Sequence, residues 1–130
     1  MFGKTLLTLA GIGLIGGAPI ADLSESHIYN PRWPPHAKFH NGQTISLSIL
    51  LGLATLYYTH RRPASPMQRR QDVRVAVLAG SVYWVAGLLA GAFPGASGLD
   101  PEFGGPGFPQ MPIFMAFLGM ALVGGFVEGV

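Results

Sequence analysis

The residues with the greatest chemical capacity are concentrated in one short stretch of the 130-residue chain, from Asp22 to Gln43. This stretch contains three of the four histidines, two carboxylates, one arginine, one lysine, one tyrosine and one tryptophan. A carboxylate that is partly withdrawn from water can act as a general acid or base. Histidine changes its charge near neutral pH and can share that work. The stretch therefore favours proton-transfer chemistry.

The predicted catalytic residues are Asp22, His27, His36 and His40. The predicted substrate-binding residues are Gln43, Arg32 and Trp33. The guanidinium of Arg32 suits a carboxylate or a developing negative charge, and Gln43 would orient the substrate. The reactions that such a set permits include isomerisation, epoxide opening and cyclisation of a lipophilic molecule. None of them needs a redox cofactor, and no cofactor is predicted.

The proline pair Pro34-Pro35 predicts where the helix that carries two of these histidines begins. Proline suits the first turn of a helix, where a missing N–H group has little consequence. A helix from about Pro35 to Thr59 places His36 and His40 four residues apart on one face. Gln43 and Leu47 continue that face.

Two other interpretations of the same residues stay open at the level of sequence. His36 and His40 are a competent pair of metal ligands, which Asp22, Glu25 or His27 would complete. Alternatively, the aromatic residues and histidines form an interfacial belt, with Asp22 capping a helix or pairing with Arg32.

Composition predicts the environment that must position these residues. Apolar residues make up 49% of the chain and charged residues 11%, against about 25% charged in a typical soluble domain. Four apolar segments are each near the roughly 20 residues that cross a bilayer, at about residues 5–21, 44–59, 75–93 and 111–127. None alternates with a period of two, so helices are expected. The predicted fold is a single all-α domain, residues 1–130: an integral membrane four-helix bundle in a lipid bilayer.

Charge predicts the orientation of that bundle. The segment from His60 to Arg74 contains five arginines and one acid, and short basic loops stay on the cytoplasmic side. Both termini would then be cytoplasmic, in a bacterial inner membrane or in the endoplasmic reticulum of a eukaryote. A nucleic-acid partner is improbable for so short a loop. A signal peptide is the alternative interpretation of the first segment.

The other long connection is rich in glycine and proline, between Gly95 and Gln110. Such a composition is unlikely to form regular structure. The loop also carries Phe103, Phe108 and Glu102, so it would be either a lid over a site or a flexible connector. The sequence favours neither.

The string Asn-Pro-Arg-Trp-Pro-Pro-His-Ala-Lys-Phe-His-Asn-Gly-Gln, at residues 30–43, resembles a family of small uncharacterised four-span membrane proteins of bacteria and fungi. The resemblance implies that five residues belong together as a polar set: Asp22, His27, His36, His40 and Gln43. Some members carry an acetyltransferase label, but this chain has no phosphate-cradling loop and no obvious acyl-accepting nucleophile. By architecture alone, the chain also resembles small membrane sterol isomerases, meroterpenoid cyclases and epoxide hydrolases.

The sequence therefore favours a small membrane enzyme that acts on a lipophilic small molecule by acid–base chemistry. The second hypothesis is a non-catalytic membrane accessory protein or a lipophile-binding protein, in which the same residues form a structural network. A transporter or channel ranks third, because four short spans without repeats would require a homo-oligomer.

The orientation has a direct test, because the chain contains no cysteine. We expect a cysteine introduced at Ser65 to react with a membrane-impermeant maleimide only after the cytoplasmic side is made accessible. A cysteine at Ser97, in the loop predicted on the opposite side, is the matched control and should react in intact cells. Labelling of the Ser65 variant from outside would reverse the assignment.

Overall fold

The computed structural model describes residues 1–130, which form four α-helices, one 3-10 turn and no strands. The helices are α1 (Phe2–Asp22), α2 (Pro35–His60), α3 (Pro66–Ala90) and α4 (Met111–Val127), and the 3-10 turn is Pro101–Phe103. The prediction of an all-α fold with four helices is confirmed.

Local sequence explains where α2 and α3 begin. Each helix has a proline in its first turn, Pro35 in α2 and Pro66 in α3. The side chain of Ser65 caps α3 by accepting a hydrogen bond of 3.1 Å from the backbone N–H of Gln68, which satisfies a donor that has no partner inside the helix. The predicted start of α2 at Pro35 and the predicted bounds of α4 agree with the structure.

The arginine-rich connection is shorter than the sequence analysis expected. The predicted third segment began at Val75, but α3 begins at Pro66 and ends at Ala90. The connection between α2 and α3 is therefore residues 61–65, and three of the five arginines lie on the first turns of α3. The reason is that hydropathy finds only the apolar part of a helix, whereas the Ser65 cap and Pro66 set its true start.

Contacts between the helix ends define the topology. At one end, here called the arginine end, the first turn of α1 meets the last residues of α4 through Lys4 and Glu128. The end of α2 meets α1 there through His60 and Thr8. At the opposite end, here called the cavity end, the last residue of α1 meets the early part of α2. Consecutive helices are therefore antiparallel. Helices α1 and α3 touch across the bundle, whereas α2 and α4 do not.

Small residues bring the helices close together. A Cβ atom added to Gly52 in α2 would lie 2.6 Å from Ile15 Cγ1 and 2.7 Å from the carbonyl oxygen of Gly11 in α1. A Cβ atom on Gly124 in α4 would lie 3.0 Å from the carbonyl oxygen of Gly3. These backbones approach each other at distances that any side chain would prevent. Contacts of this type are typical of helices that pack in lipid.

Two helices, α1 and α3, are long and apolar enough to cross a membrane. Helix α4 is apolar but has only 17 residues. Length and composition alone support no more than this.

Ion pairs and hydrogen bonds together join all four helices at the arginine end. Arg61 binds the buried carboxylate of Asp72, and Arg69 binds Glu128. Glu128 also accepts a hydrogen bond of 3.0 Å from the backbone N–H of Lys4, and Arg69 donates to the carbonyl of Thr59 at 3.2 Å. Because α3 begins early, it presents Arg69 to the end of α4.

The glycine contact between α1 and α2 generates a stability prediction. Gly52→Ala should destabilise the fold by about 1–3 kcal/mol, because the added methyl group would overlap the backbone of α1. Gly42→Ala in the same helix is the matched control, since a Cβ atom there meets nothing within 4 Å. The control should be neutral or stabilising by up to about 1 kcal/mol, because alanine favours helix more than glycine does. Thermal unfolding in detergent measures both, and equal stability of the two variants would contradict the close contact.

The pair at Glu128 generates a pH prediction. Partial burial raises the pKa of this carboxyl group, but the hydrogen bond and charge of Arg69 outweigh that effect and hold the pKa below its usual value. A depressed pKa contributes stability that is present above the ordinary pKa and is lost as the pH falls through the folded-state value. We expect unfolding temperatures to fall below about pH 4 and Glu128→Gln to reduce that dependence. Glu25→Gln, at an exposed residue, should leave the profile unchanged.

Candidate functional site

The carboxylate of Asp22 is held in place at the cavity end. Asp22 is the last residue of α1, and its Oδ2 accepts a hydrogen bond of 2.8 Å from Asn41 Nδ2 on α2. Its side chain is only 14% exposed. This contact engages one carboxylate oxygen and leaves the other, Oδ1, facing His27.

The orientation of His27 follows from a chain of hydrogen bonds in the turn after α1. Ser24 Oγ–H donates to the carbonyl of Ala21 at 2.8 Å, which uses the only proton of that hydroxyl. Ser26 Oγ, 2.9 Å from Ser24 Oγ, must therefore donate to it. Ser26 then has no proton left for His27 Nδ1, 2.8 Å away, so Nδ1–H is the donor in that bond. The network places the proton of a neutral ring on Nδ1 and the lone pair on Nε2.

Two hydrogen-bond acceptors consequently face each other across a gap. His27 Nε2 lies 3.8 Å from Asp22 Oδ1, which is longer than a direct hydrogen bond. A carboxylate oxygen and an imidazole lone pair both require a proton between them. That proton comes either from protonation of the pair or from a ligand group such as a hydroxyl. Chemically, such a pair can accept a hydrogen bond from a donor group placed between the two atoms, and it can act as a general base.

This pair lies on the wall of a cavity of about 710 Å³. A volume of this size suits a drug-sized molecule. Fourteen of its 22 lining residues are hydrophobic, so the wall of the cavity is largely apolar. The polar side chains in its wall, besides Asp22 and His27, are Thr44, Tyr83, Ser97 and Gln110.

An aromatic cluster forms part of the cavity wall. Trp84 is buried, stacks on Phe117 with ring centroids 5.0 Å apart and contacts Phe114 at 5.5 Å. These rings join α3 to α4. They give the cavity a rigid apolar surface beside the polar pair.

The glycine-rich loop between α3 and α4 closes over the cavity. Ser97, Gly98, Phe108 and Gln110 from this loop are among the lining residues. Gln110 Nε2 donates a hydrogen bond to the carbonyl of Gly98, which ties the two ends of the loop together. Of the two interpretations that the sequence left open, the geometry agrees with a lid.

Arg32 does not reach the cavity. It pairs with Glu102 in the lid loop, and the buried side chain of Asn30 binds the same carboxylate at 3.1 Å. Arg32 therefore fastens one loop to the other and does not pair with Asp22. Trp33 does not line the cavity either, but its ring packs edge-on against His27 at 5.2 Å and supports the imidazole.

His36, His40 and Gln43 also lie outside the cavity. They occupy the face of α2 that continues into the cavity-lining residues Thr44 and Leu47, as the helical spacing predicted. However, His40 and His36 precede Thr44 by one and two turns, so they lie about 6 and 12 Å beyond it along the helix axis. All three are exposed. The structure thus joins Asp22 to His27 and separates them from the other two histidines.

The metal interpretation of the full histidine set does not fit the geometry. No group of three or more His, Asp or Glu side chains is arranged to hold a metal ion. Asp22 and His27 face the cavity, and Glu25 is exposed elsewhere in the turn. None of the three completes a site with His36 and His40.

Several residues of the site were not assigned to it from the sequence. Asn41 does not line the cavity but positions Asp22. Tyr83 and Trp84 line the cavity within α3. Gln110 was treated only as the end of a loop. The available signal was the occurrence of polar and aromatic residues inside an otherwise apolar helix, which often marks a cavity.

The family of unknown function DUF6640 matches residues 7–128, and the chain belongs to that family. Neither a curated protein nor a solved structure matches the chain.

Proposed function

We propose that the protein is a four-span membrane enzyme that binds a lipophilic small molecule in the cavity and performs proton transfer on it at Asp22 and His27. The observation that carries this proposal is the pair of opposed acceptors in the wall of a largely apolar cavity.

Membrane insertion is supported by the distribution of side chains, which is the reverse of that in a soluble bundle. Large apolar side chains on all four helices are exposed, among them Ile12, Leu50, Leu78 and Phe126. Most buried positions hold small or polar side chains, among them Ser48, Thr55, Ala76 and Ala121, and the large apolar side chains that are buried are few: Leu7, Leu14, Ile45, Val73 and Trp84. Lipid tails are as apolar as leucine, so a bundle in lipid keeps its large side chains outside and packs through small ones.

The proposed orientation follows the charge of the two ends. The arginine end carries Lys4 and all the arginines except Arg32, so it is assigned to the cytoplasm with both termini. The cavity end then lies on the opposite side of a bacterial inner membrane or an endoplasmic reticulum membrane.

The walls of the cavity favour a ligand that arrives from the bilayer. Four of its lining residues, one on each helix, are also exposed on the outside of the bundle: Ile20, Leu47, Val82 and Ile113. A cavity with an apolar rim at the surface of the helices is accessible from lipid. The ligand class that fits is a lipophilic molecule with one hydrogen-bond donor, such as a hydroxyl group, placed between Asp22 and His27.

The proposed chemistry uses the pair as a proton relay. One acceptor takes a proton from the bound molecule, and the pair returns a proton to a different atom of the same molecule, so the reaction is an isomerisation and consumes no co-reactant. Ring closure, or opening of an epoxide by a hydroxyl group of the same molecule, would use the same transfer. Asn41 and Ser26 position the two acceptors, and the lid loop excludes water, which strengthens the electrostatic interactions inside the cavity.

A turnover experiment tests the proposal. Protein in lipid nanodiscs is incubated with a solvent extract of membranes from the source organism, and chromatography with mass spectrometry follows any component that is converted to an isomer. We expect His27→Gln and Asp22→Asn to lower the conversion rate by about 10²–10⁴-fold, the usual contribution of a general acid or base. His60→Gln, at the arginine end, is the matched control and should retain the wild-type rate.

Binding is measured separately from turnover. A phenylalanine at Gly17, where a Cβ atom meets Trp84 at an ordinary 3.6 Å, should occupy the cavity and reduce the amount of co-purified lipophilic molecule. If the wild-type protein retains such a molecule but converts nothing, the function is that of a non-catalytic lipophile-binding protein. Wild-type turnover by His27→Gln would disprove the proton-relay role.

A further inference from the structure

His36 and His40 form a second arrangement of functional groups, outside the cavity. Their Nε2 atoms are 3.0 Å apart, and the ring centroids are 4.4 Å apart. Both side chains are exposed at the start of α2, beyond the level of Asp22. Neither takes part in the proton transfer proposed above, so the pair requires its own explanation.

We propose that His36 and His40 chelate a divalent transition-metal ion of the zinc class through their two Nε2 atoms. Zinc–nitrogen bonds are about 2.0–2.1 Å long. Two nitrogens bound to one ion at angles of roughly 90–110° are therefore about 2.9–3.4 Å apart. The observed 3.0 Å lies in this range, so the two Nε2 atoms already have a chelating separation, and rotation of the rings would direct both lone pairs at one ion.

Gln43 prepares His40 for this role. The side-chain oxygen of Gln43 lies 3.3 Å from His40 Nδ1 and accepts its N–H. A neutral ring with the proton on Nδ1 carries its lone pair on Nε2, the atom that faces His36. Metal-binding histidines commonly have their second nitrogen engaged in this way, which fixes both the tautomer and the ring orientation. This arrangement also gives Gln43 a positioning role.

The hydrogen bonding of the metal-free pair shows which ring must change its tautomer when a metal binds. With the lone pair of His40 Nε2 as acceptor, His36 Nε2–H must be the donor in the 3.0 Å contact. For metal binding, the Nε2 proton of His36 leaves to water and Nδ1 takes up a proton from water, so the ring stays neutral and its Nε2 lone pair is free for the metal. Because no other acidic or histidine side chain joins the pair, water would fill the other coordination positions.

Titration with Zn²⁺ tests the chelate, using protein purified with an affinity tag that contains no histidine. We expect one equivalent to bind. His36→Ala and His40→Ala should each weaken binding on the order of a hundredfold, because the second imidazole binds intramolecularly. The double variant should bind Zn²⁺ with the same affinity as either single variant, since one histidine alone cannot chelate the ion. His60→Ala, which removes a histidine at the arginine end, should bind as the wild type does.

Variants of Gln43 test the positioning role. Gln43→Leu should weaken Zn²⁺ binding by about tenfold, the low end of the range for loss of a hydrogen-bond partner of a metal-binding histidine. Gln43→Glu should bind Zn²⁺ as tightly as the wild type or more tightly, because a carboxylate accepts the Nδ1–H more strongly. The chelate is overturned if the wild type binds no Zn²⁺, if either single histidine variant keeps the wild-type affinity, or if His60→Ala weakens binding equally. The turnover measured with His27→Gln is independent of these results.

Discussion

The close approach of α1 and α2 at Gly11 and Gly52 fixes the relative position of the groups at the cavity end. The two backbones touch there because neither residue has a side chain. Asp22 lies after Gly11 along α1, and Asn41 lies before Gly52 along α2, so both lie on the same side of this contact. Both distances are eleven residues, or about 16 Å, so the antiparallel helices bring Asp22 level with Asn41. The hydrogen bond that positions the carboxylate is therefore a consequence of the glycine contact.

The same packing explains why a cavity exists at one end only. At the arginine end, glycines draw α4 onto α1 and ion pairs tie the helix termini together. Towards the other end, bulky aromatic rings at Trp84, Phe114 and Phe117 stand between α3 and α4. Small residues at Gly17, Ala18 and Ala21 leave space opposite them. The bundle is therefore closed by backbone contact at one end, whereas at the other end the rings and the small residues line a cavity that the lid loop borders.

The polar groups are divided between two structural tasks and two chemical ones. Arg32 and Glu102 join the loops, and Arg61, Arg69, Asp72 and Glu128 join the helix ends. Each of these charges has a partner, which offsets part of the free energy lost when a charge leaves water. Asp22 with His27, and His36 with His40, instead place acceptors or exchangeable protons opposite each other. Such groups have unused binding capacity, and for that reason the chemistry is assigned to them.

The sequence alone determined the four helices, the start of α2 at Pro35 and the shared face of His36, His40 and Gln43, because these depend on local rules: hydrophobic runs, proline geometry and the helical repeat. It also predicted Asp22 and His27 as catalytic residues, and both line the cavity. It could not show that these two separate from His36 and His40, because that division depends on where α1 ends relative to α2. The partners Asn41 for Asp22, Arg69 for Glu128 and Glu102 for Arg32 are 19, 59 and 70 residues away in sequence. Only the packing of the helices brings such distant groups into contact, so only the tertiary structure decided which residues share a site.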